Sequence, residues 1–142
     1  MSYEYIHNTL NAPLAAIPDV PTIITENEKG FLKSDKELSA RCGVYLRSTL
    51  LPAETVEETI GTCGWNKWHG LFQIDLFYPY GEGTDKSNKL IDDIIAAYPQ
   101  KDRLGDRKEK VHIRTVWRES AIQQTNFYMV PVVIRWDAWF PR

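Results

Sequence analysis

Residues 70–98 read Gly70-Leu-Phe-Gln-Ile-Asp-Leu-Phe-Tyr-Pro-Tyr-Gly-Glu-Gly-Thr-Asp-Lys-Ser-Asn-Lys-Leu-Ile-Asp-Asp-Ile-Ile-Ala-Ala-Tyr98. An apolar strand enters a glycine-punctuated turn, and an amphipathic helix leaves it. Strand side chains alternate between faces. Phe72, Ile74, Leu76 and Tyr78 therefore share a core face. Gln73 and Asp75 take the other face together with Leu71 and Phe77, which leaves that face only partly wet. Thr84 or Asp85 caps the helix, which runs to about Ala97. Leu90, Ile91, Ile94, Ile95 and Tyr98 form its apolar stripe, and Lys86, Lys89, Asp92 and Asp93 face water. Pro99 stops it. A strand with a helix packed on it points to an α+β sheet.

Upstream, Ile6, Leu10, Leu14 and Ile17 recur at helical spacing, and Ser2 can cap the start. Pro13 either kinks this helix or ends it just before, and Pro18 and Pro21 forbid continuation. Val20 to Glu26 is rich in β-branched residues and suits a strand. Residues 27–40 form a long polar loop with an apolar insert at Phe31 and Leu32. Cys42–Leu51 and Glu54–Cys63 read as two arms of a hairpin about Pro52-Ala53. That register sets Arg47 opposite Glu58, Tyr45 opposite Ile60 and Cys42 opposite Cys63. Gly64–Gly70 reads as a turn that carries Trp65, Asn66 and Trp68.

Downstream, residues 100–110 read as a charged loop around Leu104-Gly105. Val111–Trp117 alternates Val111, Ile113, Thr115 and Trp117 against His112, Arg114 and Val116. Phe127–Trp136 alternates Tyr128, Val130, Val132, Ile134 and Trp136 against Phe127, Met129, Pro131, Val133 and Arg135. Pro131 cannot donate to a ladder, so this strand is an edge or carries a bulge there. Trp139 and Phe140 follow in a terminal segment, where a neighbouring subunit could cover them. The expected fold is a mostly antiparallel twisted sheet of about five strands with two helices, in one domain over residues 1–142.

Composition narrows the function classes. The 142 residues are 43% hydrophobic and 25% charged, ordinary for a globular chain that can bury a sizeable core. Aromatic residues make up 12%, with five Trp, which leaves room for an oligomer. The net charge of −2 gives no global attraction for nucleic acid. Neither a membrane span nor a signal sequence is read, so synthesis in the cytosol is expected.

The chemical motifs are sparse. His7, His69 and His112 sit in three separate elements without metal-ligand spacing. Cys42 and Cys63 could be a nucleophile, a disulfide or two buried thiols. Buried thiols fit a reducing compartment best, and an oxidised pair fits a particle that ends outside the cell. Gly81-Glu82-Gly83 lacks the rest of a phosphate-binding fingerprint, and Glu82 and Asp85 put negative charge where a phosphate would sit. Asp92 and Asp93 point about 100° apart on a helix and do not converge. The basic residues Lys101, Arg103, Arg107, Lys108 and Lys110 interleave with Asp102, Asp106 and Glu109, which reads as a solvated loop. Neither cofactor nor metal is expected. An enzymatic reading, a small hydrolase, would have to rest on Asp75 or His69 alone.

Taken in order, Tyr45–Pro52, Gly70–Gly83, Leu90–Pro99 and Phe127–Trp136 resemble the tail terminator proteins of long-tailed, lambda-like phages. The stretch Gly-Leu-Phe-Gln-Ile-Asp-Leu-Phe-Tyr-Pro is the nearest part. The N-terminal helix fits as well, so the similarity spans nearly the whole chain; the segment Glu28–Ala40 departs from it. The resemblance implies a structural protein, not an enzyme. Such proteins form a ring, a homohexamer, on the last ring of the tail tube. They stop its polymerisation and offer a surface to head-completion or connector proteins. The implied location is the head-proximal end of the tail in the virion, after assembly in the host cytoplasm. DNA would pass through the lumen without specific binding. The alternative reading is a head–tail joining or head-completion protein.

The interface residues expected on this basis are Trp65, Trp68, Tyr80, Glu82, Trp139 and Phe140. Aromatic residues in loops commonly anchor interfaces. The competing reading packs Trp65, Trp68 and Trp139 under loops of the monomer.

Overall fold

The computed structural model describes residues 3–17, 22–25, 45–57, 64–79, 85–105, 109–123 and 127–141. Cys42, Cys63, Glu58, Ile60, Tyr80, Glu82, Ser2, Thr84 and the 27–40 loop lie outside the described residues, and so do the expectations placed on them.

In chain order the elements are α1 (Tyr3–Ala15), β1 (Thr22–Thr25), β2 (Tyr45–Pro52), β3 (Val56–Glu57), β4 (Trp65–Pro79), α2 (Asp85–Ala97), β5 (Arg103–Leu104), β6 (Val111–Arg118), β7 (Ile122–Gln123) and β8 (Phe127–Pro141). One sheet runs β1-β2-β4-β8-β6-β5, with β3 added to β4 and β7 to β8. Every pairing is antiparallel except β1 with β2. The α+β expectation of a mostly antiparallel sheet with two helices is met.

The centre of the sheet is the pairing of β4 with β8, which holds register from Trp65↔Pro141 to Pro79↔Phe127. The predicted core face of β4 is correct: Phe72, Ile74 and Leu76 are fully buried and Tyr78 nearly so. The matching face of β8 carries Val130, Val132, Ile134, Trp136, Ala138 and Phe140, all buried in the same cluster. Both helices close over this inner face. Ile6, Leu10 and Leu14 of α1 are fully buried, as are Ile94 of α2 and Tyr98 just beyond it. Burying one such aliphatic side chain contributes about 1.5–3 kcal/mol. This is enough to hold α1 in place across Pro13, and the helix continues two residues past it to Ala15. The Tyr98 hydroxyl donates to the Leu10 carbonyl and ties the end of α2 to α1. Burial pushes the Tyr98 pKa upward, so the hydroxyl stays protonated and able to donate.

The expected hairpin about Pro52-Ala53 is not formed. β2 pairs with β4, setting Tyr45 opposite Phe77, Leu46 opposite Leu76 and Arg47 opposite Asp75. The physical logic of the expected pairs survives with different partners. Arg47 meets a carboxylate after all, Asp75 at 3.7 Å. Tyr45 stacks on Phe77 with centroids 4.5 Å apart and planes 5° apart. β4 wins as the partner because it offers β2 an apolar neighbour on each face, Leu76 opposite Leu46 and Phe77 opposite Tyr45.

After Pro52 the chain does not turn back but continues along β4. Pro52 lies opposite Gly70 and Val56 opposite Lys67, so the β2–β3 side carries one extra residue. The amide of Ala53 donates to the His69 carbonyl at 2.9 Å. Consequently Gly64–Gly70 is not a turn: β4 starts at Trp65.

Two further expectations are corrected on the other side of the sheet. β6 changes register between Ile113 and Thr115. This bulge ends the simple alternation, because Val116 joins the buried set of Val111 and Ile113 in place of Thr115. β8 is an interior strand, not an edge, despite Pro131. Pro131 sits between the last β6 pair, at Val132, and the first β7 pair, at Met129. Its carbonyl accepts from the Glu119 amide at 2.9 Å, which shows that its donorless nitrogen faces this interruption.

Gly70 is required by close approach. A Cβ there would lie 2.4 Å from the Leu51 carbonyl oxygen and 2.9 Å from the Pro52 Cα. Gly70→Ala is expected to destabilise by about 1–3 kcal/mol, as overpacking against backbone does. Tyr98→Phe is expected to destabilise by about 1–3 kcal/mol through loss of a buried hydrogen bond. Thermal unfolding checks both, and unchanged midpoints would contradict these roles.

Candidate interaction surface

β4 and β8 are each fifteen residues long and outrun their neighbours at one end. β2 stops pairing at Gly70, and β6 begins only opposite Ala138. At this end Trp65–His69 runs against Asp137–Pro141, with β3 paired only to Asn66 and Lys67 and β6 only to Asp137 and Ala138. Three of the five tryptophans, Trp65, Trp68 and Trp139, are concentrated here.

Alternation splits this end into two faces. On the inner face Trp68 packs edge-on to Phe140 at 5.2 Å and against Tyr3 at 4.9 Å. Phe140 is buried, at 2% exposure. It belongs to the core and does not present a contact surface. On the outer face Trp65 is exposed at 38%, and Trp139 is half-buried.

Trp139 is ringed by basic groups. Lys67 Nζ lies 5.6 Å and the Arg114 guanidinium 5.3 Å from its ring centroid, and His112 meets it edge-on at 5.1 Å. Arg114 is the residue at the β6 bulge, and the bulge turns it toward β8, where its Nε donates to Asp137 Oδ2 at 2.6 Å. Across the same face Arg103, His112, Asp137 and His69 stand in one row over four strands. The only carboxylate in the row, Asp137, is 5% exposed, whereas Arg103 is exposed. Burial holds the His112 imidazole below the ordinary histidine range; Asp137 opposes that, while Arg114 and Arg103 reinforce it. The surface is thus aromatic and basic, on a chain whose net charge is −2.

The other half of the outer face is occupied by structural contacts. Asp75, the residue on which a hydrolytic reading would rest, is 5% exposed. It accepts from Gln73 Nε2 at 2.7 Å and pairs with Arg47, which also lies 4.8 Å over the Phe77 ring. His69 stands opposite Asp137 at the other end. Among the described residues no group of three or more His, Cys, Asp or Glu could hold a metal ion. No described helix is long and apolar enough to cross a membrane.

An end built of two long strands, with aromatic and charged side chains aimed outward and no converging reactive groups among the described residues, suits contact between macromolecules. The family model for phage tail terminator proteins matches residues 5–136. The chain belongs to the phage tail terminator family. It is therefore a structural component of a phage tail. A solved structure shares the fold, with a TM-score of 0.74 over 99% of this chain and 97% of its own. At 21% identity that likeness concerns architecture alone. No curated protein matches the chain.

Of the six residues expected at the terminator's interfaces, Trp65, Trp68, Trp139 and Phe140 are brought together at one end of the sheet, on a strand pair and not on loops. Tyr80 and Glu82 lie outside the described residues. The basic partners Lys67, Arg103, His112 and Arg114 went unrecognised in the sequence. Continuing the two-residue alternation of β8 past Trp136 to Ala138 and Phe140 would have fixed the register that unites them.

His112 gives this surface a pH signature. Its folded pKa lies below its unfolded value of about 6.5, so the unfolded chain takes up the proton first as pH falls. Stability is expected to drop as pH is lowered through about 6.5, and His112→Asn should flatten that slope. Melting temperatures of both proteins between pH 8 and pH 5 check this; parallel curves would contradict it.

Proposed function

We propose that this protein closes into a ring of six copies on the last ring of the tail tube, at the head-proximal end of the tail. There it stops tube growth and presents the surface to which head-completion proteins attach. The reading rests on the family match over residues 5–136. It is supported by the aromatic and basic end of the β4–β8 pair, where Trp65 and Trp139 offer rigid anchors of the kind that dominate interfaces.

The mechanism is one of shape, without catalysis. A head-to-tail contact between identical subunits either closes on itself or propagates. A terminator must match the tube on one face of its ring and fail to match another tube ring on the opposite face. Growth then ends because the next subunit finds no complementary surface. Assembly takes place in the host cytoplasm, and the finished particle carries the ring between tail and head. DNA threads the lumen without base-specific contacts. A chain with more acidic than basic residues limits phosphate attraction there.

Tails assembled without this protein are expected to carry overlong tubes, measurable by electron microscopy. Tubes of normal length that lack heads would overturn the reading in favour of a head–tail joining protein. Trp139→Ala is expected to weaken subunit association about tenfold or more, as loss of a central aromatic anchor does, with a smaller effect on the melting temperature. Sedimentation of the purified protein checks this; unchanged assembly with lost stability would return Trp139 to a purely packing role.

A further inference from the structure

The outer face of the sheet is open near the end where Trp65 meets Pro141. Both described helices pack on the inner face. Toward Pro79 the outer face is closed, and Asp75, Phe77 and Val133 are at most 5% exposed. Nearer the open end Leu51 is 42% exposed, Arg135 is exposed and Leu71 is half-buried. Leu51 stands opposite Leu71, Leu71 opposite Arg135, and Arg135 opposite Thr115. These four residues form one row across β2, β4, β8 and β6, about 15 Å wide at the usual strand spacing. Thr49, Gln73 and Trp117, all half-buried, edge the row on its closed side.

The charges of this face are unbalanced. Its strand carboxylates are Asp75 and Asp137, each 5% exposed and each already paired, with Arg47 and Arg114. Glu119, just past β6, accepts from Trp117 Nε1 at 2.6 Å. Among the described residues no carboxylate pairs with Lys67, Arg103 or Arg135. Arg103 and Arg135 are exposed, and the Arg135 guanidinium stands 5.8 Å from the Trp117 ring centroid. A chain with a net charge of −2 thus turns an apolar row flanked by uncompensated cations toward its surroundings.

We propose that the row Leu51–Leu71–Arg135, with Arg103 one row nearer the open end, docks an acidic, partly apolar surface of a different protein chain. The inference rests on the terminator reading above and names the chemistry of the surface that the adjoining tube or head must offer. Aliphatic side chains left open to water mark contact with protein. The guanidinium groups beside them match carboxylates in shape and charge. Duplex DNA fits this row less well. A phosphate backbone gains nothing from Leu51, and base stacking needs free indoles. Those of Trp117 and Trp139 already have Arg135, Lys67 and Arg114 over them. The same row on a second copy would bring arginine against arginine, which costs free energy.

Three full-length variants test the contact against two probes, purified tubes and purified heads made without this protein. Arg135→Glu and Leu51→Glu change the row itself. Lys89→Glu makes the same charge change as Arg135→Glu at an exposed position of α2. Arg114 is left in place because the buried Asp137 depends on it. In co-sedimentation at low salt, the two row variants are each expected to bind tubes or heads at least about tenfold more weakly than the wild type. Lys89→Glu is expected to bind as the wild type does. Row variants that bind both probes normally, or a Lys89→Glu loss as large as theirs, would overturn the inference and leave the terminator reading intact. A loss confined to duplex DNA would assign the row to phosphate, and one confined to self-association would assign it to contact between copies; either overturns the inference. A wild type that binds neither tubes nor heads would sink the terminator reading and this partner with it. Thermal melting verifies that each variant folds; where one does not, Arg135→Gln and Leu51→Ser replace the row variants.

Discussion

The fifteen-residue pairing of β4 with β8 is the constraint on which the remaining structure depends. Side chains alternate with a period of two, so a slip of one residue would turn the whole apolar row from core to solvent. Phe72 against Ile134 and Ile74 against Val132 fix the register from the inner face. Once it is fixed, both helices have a floor, β2 has an apolar neighbour, and β6 has a strand to follow. The same pairing also places Lys67 opposite Trp139 and His69 opposite Asp137. One backbone ladder therefore organises both the core and the surface that the terminator presents.

Much of this could be read from the chain. The inner face of β4, the stripe of α2 and the buried row of β8 through Trp136 all follow from simple periodicity, because one side of each meets the core. What failed did so for identifiable reasons. Pro52-Ala53 looked like a hairpin turn because proline favours turns, yet the chain only steps over Gly70 and keeps its direction. Local charge matching set Arg47 against Glu58, but a carboxylate on the central strand, Asp75, satisfies the same need with a better apolar setting. Trp65–Gly70 looked like a loop because glycine and polar residues interrupt it, whereas partners on both sides of most of that stretch hold it extended.

The residues expected at an interface divide along the same lines. Aromatic abundance singled out one end of the molecule. It could not tell Phe140, which alternation sends inward, from Trp139, which it sends outward. The basic ring around Trp139 draws on β4, β6 and β8 through a bulge, and no linear pattern announces a bulge.

Pro131 has a consequence for folding fidelity. It stands in the middle of the sheet with no hydrogen to offer on the side where β6 gives way to β7. A strand that tried to run unbroken along β8 would meet a silent position there and lose a bond in the sheet interior. β6 and β7 are thereby kept as two short pieces instead of fusing into one long ribbon. The proline thus divides that side of β8 between two partners, and neither ladder can extend past it.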